Sequence, residues 1–221
     1  MQQLETITPD GIEARSMALI QAEMGPHSFT PEQLPVVKRC IHTSADFDYM
    51  QNLVFTPGAV AAGVAALREG CTIVTDTQMA LAGINKRVLE GFGGRAVCFM
   101  ADPEVAREAK QRGVTRALVS MERAARLPGP LVLAIGNAPT ALARACALVQ
   151  EGQLAPRLIV GVPVGFVNVV ESKELLARTP GEHILARGRK GGSNIAAAIC
   201  NALLYAALDA TDPAGRQEKL S

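Results

Sequence analysis

Apolar residues along this chain gather in short, unalternating runs, separated by longer stretches in which they recur every three or four positions. The runs are CTIVT (71–75), RAVCFM (95–100), RALVS (116–120), LVLAIG (131–136) and RLIVGVPVG (157–165). Each is strand-sized, and the lack of alternation predicts strands covered on both faces. Between them, PGAVAAGVAALREG (57–70), ALAGINKRVLEGFGG (80–94), DPEVAREAKQRG (102–113) and APTALARACALVQEG (138–152) read as helices. Glycine closes the second and third, and Asp102 before Pro103 suits a capped first turn. Strands alternating with helices predict an α/β fold. We expect a three-layer sandwich, with a largely parallel sheet, right-handed crossovers and helices on both faces.

Further helices flank this pattern. TPDGIEARSMALIQAEM (8–24) and TPEQLPVVKRCIHTS (30–44) precede the first strand, and SNIAAAICNALLYAALDA (193–210) follows the last. The terminal helix is apolar on more than one face, which predicts a position deep in the domain or against a second subunit. With 221 residues the chain can bury a sizeable core. We read one domain over 1–210 and a flexible tail, TDPAGRQEKLS, over 211–221.

Composition removes several classes of function. The chain has no tryptophan and few other aromatic residues, so it offers little stacking surface for single-stranded nucleic acid. A formal net charge of +1 also argues against a nucleic-acid partner, while leaving room for a local basic patch that holds an acidic ligand. Five widely spaced cysteines without a C-x-x-C pair read as reduced core residues, not as a disulfide, zinc or redox framework. No basic-then-apolar leader opens the sequence and no apolar run reaches bilayer length, so a soluble cytoplasmic protein without a membrane partner is expected.

In open parallel sheets ligands gather beyond the carboxyl ends of the strands, where helix N-termini attract anions. Four stretches fall at such places. In TDTQM (75–79), Asp76 and Thr77 read first as helix caps and second as ligand contacts. GNAPTAL (136–142) offers Gly136, Asn137 and Thr140 either as a ligand cradle or as a tight strand-to-helix turn. It matches neither G-x-G-x-x-G nor a P-loop. GVPVGFVNVVESKE (161–174) can present backbone amides near Gly165 and the Lys173 ammonium to a carboxylate, although a solvated helix cap explains ESK equally well. RGRKGGSN (187–194) sets Arg187, Arg189 and Lys190 before a double glycine and a helix N-terminus, and reads first as a strong anion site and second as an exposed basic loop. A fifth stretch, VVKRCIHTSADFDY (36–49), places His42 three positions after Arg39 in a chain with three histidines. On residues alone, packing is the commoner role of such a histidine.

Taken in order, IEARSMALI, RCIHTSAD, TDTQMALAGI, GNAPTAL, GVPVGFVNVVESK and RGRKGGSNIAAAICNAL cover nearly the whole chain. In these blocks the sequence resembles the precorrin-8X methylmutase family of corrin (vitamin B12) biosynthesis. The resemblance implies an α/β sandwich that forms a homodimer, with the active site at or near the subunit interface. It also implies a large polycarboxylate macrocycle as ligand, and migration of a methyl group from C-11 to C-12 that converts precorrin-8X to hydrogenobyrinic acid. His42 is then the proton donor that lies over the ring.

Chemistry supports that assignment, because a 1,5-sigmatropic methyl shift needs no metal, nucleophile or redox cofactor. It needs the ring held in one tautomer, and histidine, with an unperturbed pKa of about 6.5, exchanges protons near neutral pH. Asp46, four residues on, shares a helix face with His42 if the helix continues. The ring's acetate and propionate arms call for Arg15 with Ser16, Arg39, Arg116, Arg187 and Lys190. Asp76, Thr77, Asn137, Thr140, Gly165 and Lys173 complete the expected substrate contacts. No metal site and no cofactor are expected. Two other readings stand beside the isomerase: a carrier that holds a corrinoid intermediate without chemistry, and the same isomerase acting on the cobalt-containing precursor. A dinucleotide enzyme lacks the glycine fingerprint.

Overall fold

In this computed structural model, which describes residues 8–209, six strands form one sheet. They are β1 (Leu53–Phe55), β2 (Thr72–Thr75), β3 (Arg95–Val97), β4 (Leu131–Ile135), β5 (Leu158–Gly161) and β6 (His183–Ala186). Their spatial order is β1-β6-β5-β4-β2-β3, and every neighbouring pair is parallel except the edge pair β1 and β6. The helices are α1 (Pro9–Met24), α2 (Leu34–Ser44), α3 (Tyr49–Asn52), α4 (Ala59–Arg68), α5 (Gln78–Gly83), α6 (Lys86–Gly91), α7 (Pro103–Arg112), α8 (Arg116–Ala124), α9 (Pro139–Gln150), α10 (Val169–Ala177) and α11 (Ser193–Asp209). Residues 211–221, read from sequence as a tail, lie outside the described residues.

β4 and β5 are apolar throughout, and β2 and β6 largely so, because both faces of these strands are covered. On one side Val132 and Ala134 of β4 join a core with α2, α4, α6 and α11. On the other side Leu131, Leu133 and Ile135 pack with Met121 of α8, Leu142 of α9 and Leu176 of α10. These are the three layers expected from the unalternating runs. The terminal helix α11 meets α2, α4 and α5 as well as β4 and β5, which accounts for its apolar residues on several sides. Gly63 lets α4 approach it closely, since a Cβ there would stand 2.9 Å from Leu203 Cδ1.

Several boundaries differ from the sequence reading. RALVS is not a strand but the start of α8, capped by Thr115, whose hydroxyl accepts from Leu118 N at 3.2 Å. Buried Ala117 and Ser120 within the window are joined by Met121 and Ala124 beyond it, a helical spacing. The expected helix over 80–94 is two, broken at Ile84, with the Asn85 side chain capping α6 through Val88 N at 3.2 Å. RAVCFM yields only the short β3 before a 3-10 turn at Phe99–Ala101. β5 ends at Gly161, and part of the 161–174 loop is α10. β1 and β6 were not foreseen.

Asp102 caps α7 as expected, accepting from Glu104 N at 2.8 Å, and Gly113 closes that helix in the left-handed region at φ 64°. All five cysteines are free; Cys40, Cys71, Cys146 and Cys200 are buried, and Cys98 is partly so. Burial pushes the Cys71 and Cys200 thiols up to about 12, as befits inert core residues. Among the described residues no helix is long and apolar enough to cross a membrane.

Candidate active site

The loops that follow β2, β4, β5 and β6 lock into one another. Asp76, directly after β2, is fully buried, and its carboxylate accepts from the backbone N–H groups of Gly136 (2.9 Å), Asn137 (2.8 Å) and Ala138 (2.6 Å). Burial pushes this carboxyl up, against the pull of those three donors. Gly136 in turn presses on the next loop, where a Cβ would lie 2.6 Å from Gly192 O. Gly191 presses on the loop after β5, where a Cβ would lie 2.1 Å from Val162 O. The Thr77 and Ser193 hydroxyls meet at 2.7 Å, which ties the start of α5 to the start of α11.

Beside this platform, α2 and α11 wall a cavity of ≈ 500 Å³ lined by Arg39, His42, Thr43, Gly83, Asn194, Ala197, Ala198 and Asn201. His42 is exposed in the last turn of α2, one turn from Arg39. It is therefore not a packing histidine. Arg39 donates from Nη2 to Glu13 Oε1 at 2.7 Å and holds its guanidinium 5.0 Å from the Tyr205 ring centroid. Asn201 braces the floor, donating to Gly83 O and accepting from Asn85 N, both at 2.8 Å. The sequence reading missed Asn194 and Asn201. Their signal was two asparagines seven residues apart on one face of an alanine-rich helix.

Several expected substrate contacts prove to be internal. Asp76 is sealed from solvent and secures the turn before α9, so it is neither a ligand contact nor a cap of its own helix. Thr77 does cap α5, accepting from Ala80 N at 3.0 Å. Lys173 is not presented to a carboxylate: it is 2% exposed and donates to the carbonyls of Gly188 and Lys190. Lys190 extends away from its loop to Asp46 and Asp48. The pairing of Asp46 with His42 also fails. Helix α2 stops at Ser44, and left-handed Ala45 (φ 53°) turns the chain before Asp46.

The remaining candidates divide between two helical layers. Arg15, exposed, and Ser16, half-buried, lie on α1, which packs against the helix that carries Arg39 and His42. On the other layer Arg116 donates to Met100 O at 3.1 Å, and the Thr140 hydroxyl meets that of Thr115 at 2.9 Å. Asn137 and Arg187 are exposed at the ends of β4 and β6. Gly165 donates its N–H to Arg189 O at 3.2 Å, and the Arg189 guanidinium stands 5.4 Å from the Phe166 ring centroid.

Comparison with known proteins completes the picture. Residues 11–206 match the family described as precorrin-8X methylmutase. The chain is 44% identical over 198 residues to the cobalt-precorrin-8 methylmutase of Priestia megaterium, spanning 90% of this chain and 88% of that protein. It is 38% identical to the precorrin-8X methylmutase of Pseudomonas aeruginosa, over 87% and 93% of the two chains. A solved structure of precorrin-8X methylmutase from Thermus thermophilus superposes with a TM-score of 0.84 at 39% identity, covering 91% of this chain and 97% of that one. These relatives are methylmutases, and so isomerases. Fold and sequence agree: the chain belongs to the precorrin-8X methylmutase family.

Proposed function

We propose that this protein moves the C-11 methyl group of precorrin-8X to C-12, giving hydrogenobyrinic acid, with His42 as proton donor and the arginines as seats for the ring's carboxylate arms. The observation that carries this reading is that exposed His42 and half-buried Arg39, one turn apart, line the wall of one ≈ 500 Å³ cavity. A histidine that faces a cavity can deliver a proton to a bound ring, and the arginine beside it can anchor an acetate or propionate arm. Proton delivery selects the tautomer from which the methyl group migrates. The ring returns a proton on product formation, so the reaction is a net isomerisation. A carrier would need the cations but no exposed acid–base group on the cavity wall. Relatives named for cobalt-precorrin-8 and for precorrin-8X both match this chain, so both ring forms belong in the test.

The ligand is tested by titration with hydrogenobyrinic acid. Binding is expected to weaken as salt rises, because partly solvated ion pairs are screened, and to weaken further in Arg187→Ala. No spectral or calorimetric change with either the metal-free or the cobalt product would sink the ligand assignment.

We further propose a cytoplasmic homodimer in which the second subunit completes the cleft. A cavity of ≈ 500 Å³ suits a drug-sized ligand, and a macrocycle with its arms is larger. Phe166 (82% exposed) and Val167 (78%) in the loop after β5, with Met79 (70%) in the first turn of α5, form an apolar fringe that a partner subunit or the ring would cover. Sedimentation at micromolar concentration should give a dimer; a monomer would remove the shared cleft.

A further inference from the structure

The basic loop 187–192 is held by lysines from two directions. From the protein side, the Lys173 ammonium donates to the carbonyls of Gly188 and Lys190, each at 2.8 Å. Toward α2, the Lys190 side chain reaches Asp46 Oδ2 at 2.6 Å and Asp48 Oδ2 at 2.5 Å. Asp46 is tied to the last turn of α2, because its N–H donates to Ser44 Oγ at 3.2 Å and the Ser44 hydroxyl donates to Cys40 O at 2.7 Å. His42 lies in that same turn. A continuous chain of contacts thus runs from buried Lys173 of α10, through the loop, to the helix end that carries His42.

Burial lowers the Lys173 ammonium from the ordinary 10.5 to about 8. Its folded value is below its unfolded one, so holding the charge costs stability in full below about pH 8, and the cost fades as pH rises toward 10.5. A side chain that costs stability at neutral pH is well explained by what it holds in place.

We propose, on the methylmutase reading above, that Lys173 and the Lys190–Asp46–Asp48 bridge are positioning groups that fix the 187–192 loop in register with His42. Arg187 and Arg189 are then the loop's cations for substrate carboxylates, and Lys190 acts through the bridge. Electrostatics alone gives the opposite expectation for the aspartates, since removing two carboxylates beside a polyanion site should strengthen binding.

The test compares wild type, the double variant Asp46→Asn with Asp48→Asn, and Lys173→Met, with steady-state kinetics on whichever ring form the wild type converts. Asp46 is half-buried and Asp48 exposed, so the double variant should fold. We expect KM to rise about tenfold in both variants while kcat changes much less, with the Tm of Lys173→Met unchanged or raised. A wild-type KM in either variant, or a lowered KM in the aspartate variant, overturns the proposal. Should Lys173→Met not fold, the aspartate variant decides alone. A wild type that converts neither ring form overturns the methylmutase reading and this inference with it. Conversion by wild type with unchanged KM in the variants overturns the inference only.

Discussion

Replacing His42 by alanine is expected to leave a folded protein that binds the macrocycle and turns it over about two to four orders of magnitude more slowly. The side chain is exposed and lines the cavity, so its loss removes no core contact and leaves no buried group without a partner. Arg39 and the loop cations remain to seat the carboxylate arms, which separates binding from turnover in this variant. Melting temperature, product affinity and turnover measured on one preparation decide the matter. Near-normal turnover per folded molecule would end the proton-donor role, and a steep fall in Tm would return His42 to packing.

Asp76→Ala should be the most damaging change to the fold of the site. Three backbone donors lose their acceptor, of which Gly136 N is buried and those of Asn137 and Ala138 are within reach of water. A buried donor left unpaired costs about 1–3 kcal/mol, so the whole loss should be about 3–4 kcal/mol. For a chain of this size that lowers Tm by roughly 10 °C. The same turn abuts Gly192 and Ser193 at the start of α11, so turnover should fall as well. A thermal melt that moves by less than about 2 °C would show that this clamp does not hold the loops together.

The sequence made the sandwich legible wherever both faces of a strand are buried. β2, β4 and β5 read as apolar runs for that reason. It misled where the window was too short: Arg116–Ser120 looks strand-like until Met121 and Ala124 reveal helical spacing. β1 and β6 were illegible because they are short, and β6 opens with a histidine after Glu182. At the site, the R-x-x-H spacing sufficed to put Arg39 and His42 on one helix face, and the cavity confirms that face as the open one. The roles of Asp76 and Lys173 could not be read. Charged residue types suggest exposure, whereas their partners are backbone groups that only the fold brings near. Lys190 was assigned to substrate on its charge, and the two aspartates that claim it lie more than a hundred residues away.

The central claim is that this protein catalyses the methyl shift. The most direct measurement incubates the purified protein with precorrin-8X, and separately with its cobalt form, each carrying a ¹³C-labelled methyl group at C-11, and follows the label by NMR. Wild type should move the label to C-12 in at least one of the two rings, and His42→Ala should do so far more slowly. A label that stays at C-11 in both rings, while the protein still binds them, would contradict the account and leave a corrinoid carrier in its place.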